Sequence, residues 1–228
     1  MTLVIGHRGA PREARENTVA AFGAAARAGA DMVELDVRRA ADGTLVVHHD
    51  AVLDDGRLII ELPGPDLPDW LPDLETALVA CEGMAVNIEI KNSPRDADFD
   101  PDDVVAGGVV DLVARLHMRD RVIVSSFNLR TVDAVRATDT GVRTGWLTFP
   151  GTDLVALIAA IAAGGHTAVH PYDTSVTAAS IDAAHDAGLE VNAWTVDDVD
   201  RMKELAGWGV DGIVTNDPAA AVAALRAR

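Results

Sequence analysis

Short β-branched runs alternate with Ala-, Leu- and Val-rich amphipathic segments along this whole chain. Such alternation is typical of a parallel sheet whose crossover helices pack on its outer side. The predicted strands are Leu3–Gly6, Met32–Arg38, Ala85–Lys91, Val122–Ser126, Arg143–Leu147, Thr167–His170, Glu190–Thr195 and Gly212–Thr215. The predicted helices are Thr18–Ala28, Leu74–Ala80, Asp102–Leu116, Leu129–Ala137, Asp153–Ala163, Val176–Ala187, Asp198–Gly207 and Pro218–Arg226. Eight strand–helix pairs close naturally as a (β/α)8 TIM barrel of the α/β class.

An open, doubly wound sheet is the structural alternative. No glycine-rich phosphate loop follows the first predicted strand, so a dinucleotide-binding domain is disfavoured. The length of 228 residues and the hydrophobic content of 49% suit one domain with a sizeable core. We therefore predict a single barrel domain over residues 1–228, with a short proline-rich insertion at about 50–72.

The charge balance excludes several classes of partner. A net charge of −17 repels nucleic acid backbones and anionic membranes, but it permits a small anionic substrate in a locally basic pocket. No stretch approaches the roughly 18 apolar residues of a membrane span, so stable membrane insertion is not expected. The N-terminal apolar run is short and lacks a basic start, and the single cysteine cannot form an intrachain disulfide. These features predict a cytoplasmic protein and leave its oligomeric state open.

Two predicted strands carry acids on one face. Alternate side chains of a strand share a face, so Glu34 and Asp36 project together, as do Asn87, Glu89 and Lys91. The opposite faces are apolar and must be buried. Enclosed carboxylates need a cation, because an unpaired buried charge is too costly to keep. Three acids from two strands are the ligands of a hard divalent metal ion such as Mg²⁺ or Ca²⁺.

The same acids could instead form a structural network with Arg38 and Lys91. We favour metal binding, because three inward acids outnumber the nearby inward cations. Lys91 could balance Glu89, or it could contact a phosphate oxygen with Arg8 as a second contact.

Histidines end two of the strand-like runs. His7-Arg8-Gly9 follows the first strand, where a side chain reaches the mouth of a barrel. His48 and His49 follow Val46-Val47, and a neutral histidine is an acid or base near pH 7. Chemistry alone does not decide which of these two is functional.

Large aromatic residues and a turn complete the candidate regions. Phe127 and Trp194 lie near later strand ends and could form the wall of a substrate pocket. Thr215-Asn216-Asp217-Pro218 fits a turn and a helix start, to which we assign a structural role.

These residues, in this order, resemble the glycerophosphodiester phosphodiesterase family, which belongs to the TIM-barrel phosphodiesterases together with phosphatidylinositol-specific phospholipase C. The resemblance spans almost the whole chain. It rests on His7-Arg8-Gly9, Glu16-Asn17-Thr18, Gly29-Ala30-Asp31, Glu34-Leu35-Asp36-Val37, Asp42-Gly43-Thr44, His49-Asp50, Pro72-Asp73-Leu74-Glu75, Asn87-Ile88-Glu89-Ile90-Lys91, Ser125, Phe127, Trp194-Thr195, Gly209-Val210-Asp211-Gly212 and Thr215-Asn216-Asp217-Pro218.

The resemblance implies a hydrolase that cleaves glycerophosphodiesters to glycerol 3-phosphate and an alcohol. It implies one divalent cation, Mg²⁺ or Ca²⁺, held by Glu34, Asp36 and Glu89. It also implies His7 and His49 as the acid/base pair. Arg8 and Lys91 are the implied phosphate contacts. After His49-Asp50 the sequence departs from the family pattern, so the alcohol group that the enzyme prefers in its substrate stays open.

Two rival functions remain at this point. One is a phospholipase D- or sphingomyelinase D-like enzyme that acts on a lipid phosphodiester and releases a cyclic phosphate. The other is a non-catalytic barrel that binds phosphodiesters, which the intact His7 and His49 disfavour. The sequence does not decide between direct attack by water and attack by the substrate's own hydroxyl.

Overall fold

Eight parallel strands form a closed ring in the computed structural model, which describes residues 1–226. The strands in chain order are β1 Leu3–Gly6, β2 Met32–Arg39, β3 Leu45–Val47, β4 Ala85–Ile90, β5 Val122–Ser126, β6 Arg143–Leu147, β7 Ala168–His170, β8 Glu190–Ala193 and β9 Gly212–Thr215. All except β3 belong to the ring, which closes where β1 pairs with both β2 and β9. The structure confirms the predicted TIM barrel.

The ninth strand is the main departure from the predicted pattern. β3 turns back and pairs antiparallel with β2, so that Val37 lies opposite Val47. The strand-like run before His48 is therefore a hairpin arm outside the ring. A single sequence did not reveal this, because a short apolar run does not show the direction in which it pairs.

The helices follow the barrel strands as predicted, with bounds that shift by at most two residues. They are α1 Val19–Ala28, α2 Leu74–Ala80, α3 Val104–Arg115, α4 Leu129–Thr138, α5 Leu154–Ala163, α6 Ala178–Asp186, α7 Val199–Gly207 and α8 Pro218–Arg226. Side-chain oxygens of Thr18, Asp73, Asp153 and Asp198 accept hydrogen bonds from backbone N–H groups in the first turn. These caps satisfy donors that a helix cannot satisfy internally and explain where the helices begin.

The two faces of the barrel strands are chemically different. Outward side chains such as Val33, Leu35 and Ile88 are fully buried between the strands and the helices. Inside the ring, a small apolar cluster includes Ile5 and Met32. Met32 shares its strand face with Glu34 and Asp36, so the interior changes from apolar to acidic toward the carboxyl ends of the strands.

The segment between β3 and α2 packs on its own apolar cluster. Ala40, Val46, Leu53, Ile59 and Leu71 are buried together there. This packing holds the connection beside the carboxyl end of β2, where His48 and His49 begin it. Within residues 1–226, no helix combines the length and the apolar character that crossing a membrane requires.

Candidate active site

Three carboxylates meet inside the barrel near the carboxyl ends of β2 and β4. The register pairs Glu34 with Asn87 and Asp36 with Glu89 across these neighbouring strands. One ligand atom from each of Glu34, Asp36 and Glu89 lies within 4.8 Å of the others, and all three residues are buried. The alternation seen in the sequence therefore brings the three predicted metal ligands together.

Two cations lie against this acidic cluster. Nζ of Lys91 is 2.7 Å from Oε1 of Glu89 and 3.5 Å from Oδ1 of Asp36. Nε of Arg8 is 3.2 Å from Oδ2 of Asp36. The backbone N–H of Arg8 also donates to Oε2 of Glu34 at 2.8 Å. Three carboxylates and two cations leave one negative charge uncompensated.

The carboxylates respond differently to this environment. Burial raises the pKa of Glu34 well above its ordinary value, and the nearby charges of Asp36 and Glu89 add to the effect. Burial also raises the pKa of Glu89, and the attraction of Lys91 opposes it only in part. For Asp36, Lys91 and Arg8 together outweigh the effect of burial and lower the pKa to about 2. Asp36 is thus the most firmly ionised of the three.

The cluster fits a hard divalent cation. Oε1 of Glu34 is buried and has no hydrogen-bond partner among the described residues. A buried oxygen of this kind costs about 1–3 kcal/mol unless something binds it. Oxygen ligands of this number and charge are those that Mg²⁺ and Ca²⁺ prefer. A divalent ion would also offset the one excess negative charge and leave a net positive charge.

His7 lies directly after β1, close enough to Arg8 and Asp36 for their charges to affect it. Its Nδ1 is 2.7 Å from Oδ1 of Asn216, which can only accept a hydrogen bond. The contact assigns the proton to Nδ1 and leaves Nε2 with a lone pair. Burial and then Arg8 lower the pKa of His7, so the ring is neutral near pH 7.

His48 and His49 point in different directions. His49 lines a cavity of about 260 Å³ together with Glu89, Lys91 and Phe127. Its Nδ1 is 2.7 Å from Oδ1 of Asp50. Burial lowers the pKa of His49, and the charges of Lys91 and Arg8 add to that effect, while the charge of Asp36 and the hydrogen bond with Asp50 oppose it. His48 instead packs near Trp70, with ring centroids 5.8 Å apart, and its Nδ1 contacts the carbonyl oxygen of Asp50.

An aromatic wall borders the cavity. Phe127 stacks on Phe149 with centroids 4.6 Å apart and meets Trp194 edge-on at 5.3 Å. Phe127 and Phe149 also line a second cavity of about 680 Å³, so the two spaces share a wall. Nε1 of Trp194 donates to the carbonyl oxygen of His170, which fixes the indole behind Phe127. Phe127 therefore borders the cavity directly, and Trp194 supports it.

Arg38 does not join the acidic cluster, although the structural alternative paired it there. Its guanidinium binds Asp98 at 2.6 Å and Asp96 at 3.1 Å, and its Nε donates to the carbonyl oxygen of His49. Arg38 thus ties the histidine segment to the connection after β4. With Arg38 engaged elsewhere, the neutralising network of that alternative is incomplete.

Two asparagines near the site were missed in the sequence. Asn17, to which the sequence analysis assigned no role in the site, donates from Nδ2 to Oδ2 of Asp36 at 2.8 Å. Asn216, assigned a structural role in a turn, contacts His7 across 209 positions of sequence separation. A signal existed for both in the motifs Glu16-Asn17-Thr18 and Thr215-Asn216-Asp217-Pro218. A local role in a turn or at a helix start accounts for both residues equally well, so their contacts with Asp36 and His7 were not predicted.

Comparison with known proteins identifies the family to which this chain belongs. The model of the glycerophosphoryl diester phosphodiesterase family matches residues 7–220. A glycerophosphodiester phosphodiesterase of Caldanaerobacter subterraneus subsp. tengcongensis is 29% identical over 243 residues, covering 95% of this chain and 95% of that protein. The chain therefore belongs to the glycerophosphoryl diester phosphodiesterase family, a family of enzymes.

Solved structures show the same barrel. A glycerophosphodiester phosphodiesterase of Agrobacterium tumefaciens is 26% identical, with a TM-score of 0.81 over 98% of this chain and 100% of that one. An Oleispira antarctica phosphodiesterase, solved with the product sn-glycerol-3-phosphate, is 23% identical. It has a TM-score of 0.89 over 100% of this chain and 98% of that one, a likeness that concerns the fold.

Proposed function

We propose that this protein is a metal-dependent hydrolase that cleaves glycerophosphodiesters to glycerol 3-phosphate and an alcohol. The observation that carries the proposal is the buried cluster of Glu34, Asp36 and Glu89, next to two cations and two histidines at one end of the barrel. Family membership supports the substrate class, and the product bound to the Oleispira antarctica phosphodiesterase agrees with it.

The proposed charge balance explains why a cation is needed. The three carboxylates and a phosphodiester monoanion carry four negative charges, and Arg8 and Lys91 return two positive charges. A +2 ion held by Glu34, Asp36 and Glu89 would bring the sum to zero, and when bound it would withdraw charge from a phosphate oxygen. Arg8 and Lys91 bind further phosphate oxygens and stabilise the charge that develops on them.

We assign different tasks to the two histidines from their partners. His7 keeps its proton on Nδ1 against a neutral amide, so its free Nε2 accepts a proton from the attacking hydroxyl. The Nδ1 of His49 faces the carboxylate of Asp50, which stabilises a protonated imidazole. Asp36 and this hydrogen bond oppose the lowering of the pKa of His49, so we assign to His49 the proton that goes to the departing alkoxide.

The aromatic wall gives the substrate a direction. His49, Lys91 and Phe127 line the smaller cavity, and Phe127 separates it from the larger one beside Phe149. We place the phosphate between Lys91 and His49, with one arm of the diester along Phe127. Trp194 acts by supporting the Phe127 ring rather than by contacting the phosphate.

Product analysis tests this proposal against its rivals. Glycerophosphocholine, glycerophosphoethanolamine and a lysophospholipid are incubated with the enzyme and Mg²⁺ or Ca²⁺, and the products are followed by phosphorus NMR. We expect glycerol 3-phosphate from the first two substrates. A stable cyclic phosphate from the lysophospholipid, with no glycerol 3-phosphate from the other two, would favour the lyase. Binding without turnover of any substrate would favour a non-catalytic barrel.

A further inference from the structure

A hydrogen-bonded chain extends behind His7, away from the acidic cluster. Nδ1 of His7 donates to Oδ1 of Asn216, and Nδ2 of Asn216 donates to Oδ2 of Asp197 at 2.8 Å. The backbone N–H of Asn216 and the hydroxyl of Thr215 donate to the other oxygen of Asp197, at 2.8 and 2.9 Å. Asp197 thus accepts three hydrogen bonds, lies 3.5 Å from a guanidinium nitrogen of Arg12, and reaches His7 through Asn216.

The orientation of the Asn216 amide depends on Asp197. An asparagine presents an acceptor on one side and a donor on the other, and by itself it could face a histidine either way. An ionised carboxylate is only an acceptor, so it requires the Nδ2 side. Burial raises the pKa of Asp197, but the hydrogen bonds from Asn216 and Thr215 outweigh burial and keep the pKa below its ordinary value. The amide oxygen must then face His7.

We propose that Asp197 is a positioning residue that, through Asn216, holds His7 in the tautomer with its proton on Nδ1. The inference rests on the proposed role of His7 as the base. If the amide rotated by half a turn, Nδ2 would donate to Nδ1 and the ring proton would move to Nε2. His7 could then no longer accept a proton at Nε2, the nitrogen to which the proposed function assigns that task. Asp197 therefore controls a proton position without contacting the substrate.

Exchanging the two side chains tests this mechanism. In Asp197→Asn, either orientation of the new amide places a donor against a donor of Asn216. We expect kcat to fall roughly 10- to 100-fold, as for other residues that orient a reacting group, with KM little changed. In Asp197→Asn combined with Asn216→Asp, the acceptor and donors match again, and His7 again faces an oxygen. The carboxylate introduced at position 216 raises the pKa of His7, so this double variant should recover most of the lost kcat at a pH high enough to keep His7 neutral.

The matched control is Asp217→Asn. Asp217 pairs with Arg12 at 2.8 Å, in the same turn, but it does not contact the side chain of Asn216. Arg12 also lies 3.5 Å from Asp197, so the control reports any contribution of Arg12 as well. Losing this exposed ion pair should leave kcat close to that of the unmodified enzyme. A similar fall in kcat in the control would show that general damage to the turn, rather than amide orientation, slows the reaction.

Nitrogen NMR of the histidine rings reports the tautomer directly. The signals of His7 are those that disappear in His7→Ala. The proton should reside on Nδ1 in the unmodified enzyme and in the double variant, and on Nε2 in Asp197→Asn. The proposal is overturned by an Nε2 proton in the unmodified enzyme, by unchanged kcat and tautomer in Asp197→Asn, or by a folded double variant as slow as the single one. If Asp197→Asn does not fold, an Nε2 proton on His7 in the folded double variant overturns the proposal. The spectra need no substrate, so they separate this inference from the proposed activity.

Discussion

Replacing Lys91 with methionine should change catalysis and cation binding in opposite directions. The ammonium group lies 2.7 Å from Glu89 and 3.5 Å from Asp36, and the Lys91 side chain is 12% exposed. Methionine keeps much of the length of the side chain and removes the charge. The change therefore tests the role of the charge with little loss of packing.

The distances set the size of the effect. At an effective dielectric constant of about 20, the two contacts correspond to gross attractions of about 6 and about 5 kcal/mol. Desolvation offsets most of this, so breaking the buried pair should cost the metal-free protein about 3–5 kcal/mol of stability. The remaining side chains of the cluster would carry two excess negative charges instead of one. A divalent cation should then bind at least about tenfold more tightly, a gain of about 1.4 kcal/mol.

Catalysis should fall because the phosphate loses one of its two proposed contacts. Removing one charge-stabilising donor typically costs about 2.7–4 kcal/mol, or roughly 10²- to 10³-fold in rate. Calorimetric titration with Mg²⁺ or Ca²⁺ gives the affinity, and a coupled assay for glycerol 3-phosphate at saturating cation gives kcat/KM. Lys203→Met is the matched control, because Lys203 is exposed on α7. Weaker cation binding in Lys91→Met would mean that Lys91 only holds Glu89 in place, and an unchanged kcat/KM would refute the phosphate contact.

Two further predictions concern the histidines and the buried acid. His49→Ala should lose about 10²- to 10⁴-fold in kcat. His48→Ala should keep most of its activity and melt at a somewhat lower temperature. The reverse result would show that His48, rather than His49, is the acid/base residue. Without a cation at pH 8, Glu34→Gln should melt above the unmodified protein, because it removes an uncompensated buried charge. Because the pKa of Glu34 is raised in the folded protein, its favourable contribution to folding stability is present below its ordinary pKa of about 4.5. This contribution is lost as the pH rises through the raised pKa. The gain in melting temperature of Glu34→Gln, measured in chelator, should therefore shrink toward acidic pH. Added cation should stabilise only the unmodified protein. A lower melting temperature for Glu34→Gln than for the unmodified protein at pH 8 would contradict the buried charge.

The barrel was predictable because its signals are local. Eight short β-branched runs and eight amphipathic segments specify the elements, and the strict alternation around Glu34 and Asp36 specifies which face they occupy. The same alternation placed Glu89 and Lys91 on one face. The parallel register of β2 and β4 then brought the acids together without any further information.

The missed features depend on partners far apart in the sequence. The sequence suggests that Arg38 pairs with the acids on its own strand, but its guanidinium binds Asp98, 60 positions away. Asn216 contacts His7 only after the last strand closes the ring beside the first. The antiparallel pairing of β3 is likewise a tertiary choice that a short apolar run does not encode. Turn chemistry accounted for Asn216 locally, so the motif Thr215-Asn216-Asp217-Pro218 did not reveal its second contact.

Removal and return of the cation tests the central claim most directly. The protein is treated with excess chelator until metal analysis shows none, and hydrolysis of glycerophosphocholine is followed by the release of glycerol 3-phosphate. We expect no activity in chelator, recovery on addition of Mg²⁺ or Ca²⁺, and no recovery in Glu34→Gln, Asp36→Asn or Glu89→Gln. Full activity in the metal-free protein would contradict the account, because Glu34, Asp36 and Glu89 would then have no cation to hold.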